Sequence, residues 1–328
     1  MAIEVIKPGL ATTVQDLGRP GYYDVGIPLS GAMDRFALRV ANILVGNDEG
    51  AAALECVFMG PELRFTVPAV VAITGADLPP KLDGDPRPTW EAFEVAAGQV
   101  LSFDYLRRGA RAYVAVSGGI DVPEVLGSRS TYALGGLGGY EGRALKPVDR
   151  LPVGLVTMPA PAGRAVPMAL RGETASPGTL RMLPGLYDHR VQPNSLAGFF
   201  EDIWAVAPEA DRIGYRFRGG RPLAFVPREP PFGAGSDPSN IVDSCYPYGS
   251  IQVPGGTEPI VLHRDAVSGG GYFMIGTVIS ADMDLIGQLQ PHSKITFAAV
   301  TMDEALAARR KRHRLLDDVR GALGSKKF

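Results

Sequence analysis

Short apolar runs, each broken by glycine or proline, occupy most of this chain. Ile3-Glu4-Val5-Ile6 opens as a strand and stops at Pro8-Gly9. Further runs cover residues 54–58, 63–67, 70–74, 100–105 and 112–117, with turn clusters such as Leu82-Asp83-Gly84-Asp85-Pro86 between them. A second set covers 180–183, 203–206, 251–253, 260–263, 272–279 and 295–300. Runs of this length predict strands, so the fold class is mainly β, with the strands closing as a barrel or a sandwich. Two segments carry helical spacing instead. In residues 33–45, Phe36, Val40 and Leu44 recur every fourth position and Gly46 is placed to end the helix. In residues 303–323, Thr301 and Glu304 fit a capping box at the start.

The stretch 159–178, rich in Pro, Ala and Gly, is the best boundary candidate. Both halves open alike. Val5-Ile6-Lys7-Pro8-Gly9-Leu10 has a counterpart in Arg181-Met182-Leu183-Pro184-Gly185-Leu186, and Met33-Asp34-Arg35 one in Ala210-Asp211-Arg212. This weak repeat points to duplicated barrels. The expected organisation is an N-terminal β-barrel-like domain over 1–170, a second barrel over 171–302, and a C-terminal helix over 303–328.

Composition narrows the function classes. The chain has 328 residues, and its 45% hydrophobic content supports a sizeable core. A net charge of −2 gives no electrostatic case for nucleic acid or an anionic membrane. The basic run from Arg309 to Arg314 reads as a solvated helix face. Two cysteines, Cys56 and Cys245, make no disulfide framework, and no signal-peptide pattern or ~20-residue apolar span is present. A cytoplasmic protein is expected. Gly-x-Ser-x-Gly and the phosphate-binding Gly-x-x-x-x-Gly-Lys-Ser/Thr are both absent. The histidines 189, 263, 292 and 313 lack ligand spacing, so no metal site is expected.

Two polar, glycine-bracketed segments remain. One runs from Gln15-Asp16-Leu17-Gly18-Arg19-Pro20-Gly21 to Ser30-Gly31-Ala32-Met33-Asp34. Such a loop is costly to order, and long irregular loops in compact domains tend to be functional, though a surface loop of a β protein would read the same. The other is Ser239-Asn240-Ile241-Val242-Asp243-Ser244-Cys245-Tyr246-Pro247-Tyr248-Gly249, followed by Gln252, Asp265 and glycines 269–271. Glycines let a ligand approach the backbone, and an amide such as Asn240 offers both donor and acceptor to a urea-like group. Asn240 and Asp243 capping a turn is the alternative.

The wording of these segments resembles one family. Thr13 through Gly21, Gly26 through Asp34, Ala41-Asn42-Ile43-Leu44-Val45-Gly46-Asn47, Leu54-Glu55, Tyr113 through Ile120, Leu126 through Thr131, Asp211-Arg212-Ile213-Gly214, Gln252-Val253-Pro254-Gly255 and Gly269-Gly270-Gly271-Tyr272 occur in its order and spacing. The family is that of allophanate hydrolase subunit 2, the C subunit of 5-oxoprolinase and KipA-like biotin-dependent carboxyltransferases. The resemblance covers roughly residues 5–300. The segment at Asn240 is similar to the urea carboxylase branch.

The resemblance implies cyclophilin-like β-barrel domains and a carboxyltransferase half-site, inactive alone, of a biotin-dependent carboxylase or an ATP-dependent 5-oxoprolinase-type system. It marks Asn240, Asp243 and Asp265 as candidate catalytic residues. Gln15, Arg19, Arg129, Gln252, Gly269, Gly270 and Tyr272 are the candidate substrate-binding residues. The implied cofactor is biotin on a separate carrier protein. The implied partners are an allophanate hydrolase subunit 1 or KipI-like subunit, the biotin carboxyl carrier protein with its biotin carboxylase, and a small-molecule acceptor. The alternative within the family is a KipA-like regulator that binds and neutralises a kinase inhibitor. The chain departs from the family's wording at Val148-Asp149, where the family has Gly-Asp, at Ile213 in Asp-Arg-Met-Gly, and at Ala266-Val267, where a Gly-Pro is expected. These departures bear on substrate more than on fold.

Overall fold

The computed structural model describes residues 2–156, 160–172, 178–229 and 231–324. They group into two compact units. One holds residues 1–19, 30–175 and 313–328; the other holds 20–29 and 176–312. The expected boundary at 159–178 falls partly outside the described residues.

The first unit is built on two antiparallel sheets. The six-stranded one runs in the order Arg150–Pro152, Ala2–Lys7, Glu62–Phe65, Val100–Phe103, Pro80–Leu82, Asp85–Pro86. The five-stranded one runs Thr13–Gln15, Ala53–Val57, Arg108–Val116, Ala69–Asp77, Ala92–Val95. Side chains alternate across a strand, and here the alternation sorts two cores. Leu54, Cys56, Val71, Ile73, Val114 and Val116 face the six-stranded sheet and meet Ile3, Val5, Leu63, Phe65 and Leu101. Ala53, Ala72, Tyr113 and Ala115 point to the opposite face, where small side chains admit the helix Arg35–Leu44 with Phe36, Val40 and Leu44. Of the two closures open from the residues, this unit takes the layered one. Cys56 is sealed in the first core, and burial pushes its thiol up to about 12.

A buried acid starts the helix. Asp34 is its N-cap and accepts from Ala37 N at 2.9 Å. The Asp34 N–H donates to the Tyr113 hydroxyl at 2.8 Å, which donates to Glu55 Oε2 at 2.7 Å; Met33 N donates to the same oxygen at 2.9 Å. Burial and the Glu55 charge hold the Tyr113 phenol well above its ordinary range, so it stays a donor.

The second unit contains a closed seven-stranded barrel: Thr179–Pro184, Met274–Val278, Ser250–Gln252, Ile260–Leu262, Gly214–Arg218, Trp204–Val206 and Lys294–Ala299. Parallel pairing of Lys294–Ala299 with Thr179–Pro184 closes it. Phe199, from the helix Pro193–Glu201, stacks on Phe297 with centroids 5.0 Å apart, and Trp204 and Phe217 complete an aromatic plug. That helix is not legible as a periodic pattern, since only Leu196, Phe199 and Phe200 mark it. Outside the barrel, Asn240–Cys245 and Gly269–Tyr272 pair as a separate two-stranded ribbon. The last helix, Met302–Ala322, has the expected capping box: Thr301 N donates to Glu304 Oε2 at 2.7 Å, and Glu304 N to Thr301 Oγ1 at 3.3 Å. No helix among the described residues is long and apolar enough to cross a membrane.

Val148 has φ 67 and is 87% exposed, a branched side chain in the left-handed region with no packing to offset its strain. Val148→Gly is expected to stabilise the chain by about 0.5–1 kcal/mol, the relief of strain exceeding glycine's entropy cost. Urea denaturation measures this; a loss of stability would mean the strain is not there.

Its neighbour Asp149 is clamped by Arg143 at 2.8 and 2.9 Å and by Lys146 N at 2.7 Å. The Arg143 guanidinium holds the Asp149 carboxyl below the usual carboxylate range. A depressed folded value means stability present at neutral pH and lost as pH falls through that value. Asp149→Asn should cost about 1–2 kcal/mol at pH 7. The gap to the unsubstituted chain should close below about pH 4 in melts at stepped pH. A gap independent of pH would refute the ionic origin.

Candidate functional site

The ribbon of the second unit gathers most of the candidates from the Asn240 segment. Asn240 stands opposite Tyr272, Ser244 opposite Gly270 and Cys245 opposite Gly269, with the register slipping between the first two pairs. A methyl group on Gly271 would lie 3.0 Å from Ile241 O, and one on Gly270 3.1 Å from the Tyr246 ring, so side chains here would spread the strands. Bare backbone is therefore what the ribbon presents on this strand.

Tyr246 ties the ribbon to the barrel. Its hydroxyl accepts from Tyr272 N and donates to Tyr272 O, both at 2.7 Å. Its ring packs with Ile260, Leu262, Ala266 and Met274. Burial raises the phenol, opposed by the Tyr272 backbone and by a side-chain hydrogen bond with Gln252. Gln252 is buried and pairs with Met274 in the barrel wall. Asn240, Asp243, Gln252, Gly269, Gly270 and Tyr272 thus belong to one connected piece.

Asn240 is half-buried and begins its strand; its N–H donates to Asp237 O at 3.0 Å. The turn before it is capped by Asp237, which accepts from Ser239 N at 2.8 Å and from Ser239 Oγ at 2.7 Å. The Asn240 side-chain amide makes no hydrogen bond among the described residues. Asp243 and Cys245 are exposed.

Asp265 is placed differently. It is buried and held by Arg212, Nε to Oδ2 at 2.8 Å and Nη2 to Oδ1 at 3.1 Å. Asp211 shapes the adjoining turn by accepting from Ile213 N and Gly214 N at 2.8 and 3.0 Å. The Asp265 loop continues to Ser268, whose carbonyl accepts from Tyr246 N at 2.8 Å and whose hydroxyl donates to Tyr23 O at 2.9 Å. Tyr23, absent from the sequence-based candidates, has a phenol raised by burial, while Arg264 lowers it and Asp265 raises it. Asp265 has the geometry of a positioning residue that fixes the loop leading into the ribbon.

Gln15, Arg19 and Arg129 lie in the first unit. Gln15 is fully buried: Nε2 donates to Thr13 Oγ1 and Thr131 O at 3.0 and 3.1 Å, and Oε1 accepts from Gly31 N at 3.1 Å. Asp16 accepts from Gly18 N at 2.7 Å, Ser128 Oγ at 2.7 Å, Arg129 N at 2.6 Å and the Ser130 hydroxyl. Arg19 donates to the Ser130 carbonyl, and Arg129 pairs with Asp121 and Glu124. These side chains lace the opening loop to residues 121–131. No cluster of three or more His, Cys, Asp or Glu that could hold a metal occurs among the described residues.

Comparisons with known proteins agree with each other. The family model described as "Carboxyltransferase domain, subdomain A and B" matches residues 25–299. The chain is 36% identical to the 5-oxoprolinase C subunit of Escherichia coli (strain K12), covering 97% of both chains. It is also 36% identical to a putative urea carboxylase of Emericella nidulans over 97% of this chain but 26% of that one. The crystal structure of Kluyveromyces lactis urea carboxylase superposes with a TM-score of 0.90 at 34% identity, over all of this chain and 30% of that one. The chain therefore spans nearly the whole of one relative and under a third of the others.

Asp265→Asn should lower stability by about 2–3 kcal/mol, since it removes the negative charge of a largely buried ion pair with Arg212. Thermal melting tests this. Unchanged stability with lost turnover would instead give Asp265 a direct chemical role.

Proposed function

This chain belongs to the family of carboxyltransferase domains with subdomains A and B, and we propose that it moves a carboxyl group from carboxybiotin to a small urea- or amide-like acceptor. The observation that carries the reading is the Asn240 amide, half-buried and unengaged by the described residues, on a ribbon whose other strand offers the bare backbone of Gly269–Gly271. A site for a ureido ring needs an available amide and close backbone approach; Asn240 and Gly269–Gly271 offer these, so the residues fit biotin. When bound, biotin supplies an activated carboxyl group on its ureido nitrogen. The Asn240 side-chain amide donates through Nδ2 to an oxygen where negative charge develops, a stabilisation worth about 100-fold in rate or more. The exposed Asp243 carboxylate on the same strand takes the proton of the acceptor nitrogen. Gln252 and Tyr246 keep the ribbon at the barrel wall, so the amide's position is set by packed elements and not by a loop.

The chain acts with a second subunit, of the allophanate hydrolase subunit 1 or KipI type, and would receive carboxybiotin still attached to a carrier protein that a biotin carboxylase has carboxylated. The name of the bacterial relative, a subunit, supports a shared assembly. An ATP-dependent, 5-oxoprolinase-type opening of a lactam is the alternative chemistry for a chain of this family, supported by the name of the Escherichia coli relative. The names of the relatives are those of enzymes, which favours catalysis over neutralising a kinase inhibitor.

Transfer of labelled carboxyl from a carboxylated carrier to urea, to an amide and to a lactam tests this, with the chain alone and with its second subunit. Turnover is expected only in the assembly. Asn240→Ala should lower it about 100-fold while melting and assembly stay unchanged. Full turnover by the single chain would remove the partner from the scheme. Lost stability with unchanged turnover per folded molecule would make Asn240 structural.

A further inference from the structure

Two guanidinium groups meet at one backbone oxygen where the ribbon begins. Arg190, at the end of the short turn Asp188–Arg190, and Arg228 both donate through Nη2 to the carbonyl oxygen of Asn240. Arg190 Nη2 also donates to Pro238 O at 2.5 Å. Beyond these bonds, Nε and Nη1 of Arg190 and Nε of Arg228 are shielded from water and have no hydrogen-bond partner among the described residues. Neither arginine has a carboxylate within 4 Å among those residues. Arg181, Arg212, Arg218 and Arg221 of the same unit are all paired with acids. The nearby Asp237 is engaged by Ser239. One face of the Arg190 guanidinium lies over the Phe273 ring, 5.8 Å from its centroid. Burial and the charge of Arg228 both push Arg190 below its ordinary range.

Two adjacent like charges that share a single carbonyl, with donors left over and no acid between them, call for an anion. We propose that Arg190 and Arg228 form a carboxylate-binding subsite beside Asn240, where a small organic carboxylate takes the remaining guanidinium N–H donors. A planar carboxylate matches the guanidinium fork and accepts two parallel hydrogen bonds, and its charge cancels the repulsion between the two cations. Because both arginines hold the Asn240 carbonyl, the bound carboxylate lies against the residue whose amide serves the reaction proposed above. The subsite's part in carboxyl transfer rests on that reading; anion binding does not.

Thermal melting of the full chain with sodium acetate, compared with sodium chloride at equal ionic strength and with acetamide, tests the subsite. Acetate is expected to raise the melting temperature saturably, and chloride and acetamide are not. Arg190→Met and Arg228→Met should each weaken the acetate response about tenfold or more. Arg228→Lys, which keeps the charge but loses the fork, should weaken it as well. Without acetate, both methionine variants should melt at or above the temperature of the unsubstituted chain, because one of two repelling cations is gone. Acetate acting no better than chloride, or a response surviving both methionine substitutions, would overturn the proposal. So would a marked fall in the acetate-free melting temperature of both variants, which would make the arginines mere clamps on the Asn240 carbonyl. A chain that binds acetate but fails to transfer carboxyl groups in the full assembly would sink the carboxyltransferase reading and leave the subsite standing.

Discussion

The hydroxyl of Tyr246 both accepts from and donates to the backbone of a single residue, Tyr272. A two-stranded ribbon is marginal on its own. This one is anchored because the phenol bonds its second strand at Tyr272 while the Tyr246 ring packs among Ile260, Leu262 and Met274 of the barrel. Burial keeps the phenol protonated, so the donor half of the bond persists at any ordinary pH. The placement of Asn240 opposite Tyr272, and of the bare glycine backbone beside it, follows from that one anchor. Asp265 and Arg212 serve the same end from further off. Their ion pair steadies the loop that delivers Ser268 to Tyr246 N and then runs straight into Gly269.

In the first unit, buried carboxylates play a comparable part for loops that carry few regular backbone bonds. Asp16 accepts four hydrogen bonds, three of them from residues 128–130, more than a hundred positions away. Glu55 collects Tyr113 and Met33 and so fixes where the helix Arg35–Leu44 begins. A buried charge is tolerated when every lone pair is used, and removing one member leaves the rest exposed to the full desolvation cost. Gln15, Asp16 and Arg19 read as chemistry in the sequence because they are polar, bracketed by glycine and hard to order. In the structure that ordering has a purpose: past the strand that ends at Gln15, the irregular segment is bonded through side chains.

Much of the architecture is legible in the sequence because strand alternation acts locally. Leu54 and Cys56 turn one way and Ala53 the other, and the same reading holds for 71–73 and 112–116. The capping box at Thr301 and the helix after Asp34 are legible for the same reason, since caps are set by neighbours in sequence. Pairing over long separations is not. Nothing in the wording says that Lys294–Ala299 closes the barrel in parallel on Thr179–Pro184, because that depends on seven strands meeting. The helix Pro193–Glu201 is hidden by its brevity, as two turns hold too few apolar positions to establish a period. In the candidate site, the glycine strand and Asn240 stand out by composition. Arg190, Arg228 and Tyr23 do not, for an arginine in a polar stretch is recognised only when its missing counter-charge is seen in space.

Satisfaction of hydrogen bonds separates the polar residues of this chain into two kinds. Gln15, Asp16, Arg129, Asp149 and Asp265 have their donors and acceptors taken up within the protein, and such groups resist reorientation because any movement breaks several bonds at once. They are suited to holding a frame. Asn240, with its backbone carbonyl gripped by two arginines and its amide unengaged, is fixed at one end and available at the other. The strand start is thus fixed by bonds that the proposed reaction does not use, while the amide is left to a ligand. The same arginines leave donors unused beside like charge, an arrangement that costs stability. Polar groups left unsatisfied at the start of the Asn240–Cys245 strand thus stand beside a ribbon that Tyr246 anchors at Tyr272, and the proposed chemistry rests on that contrast.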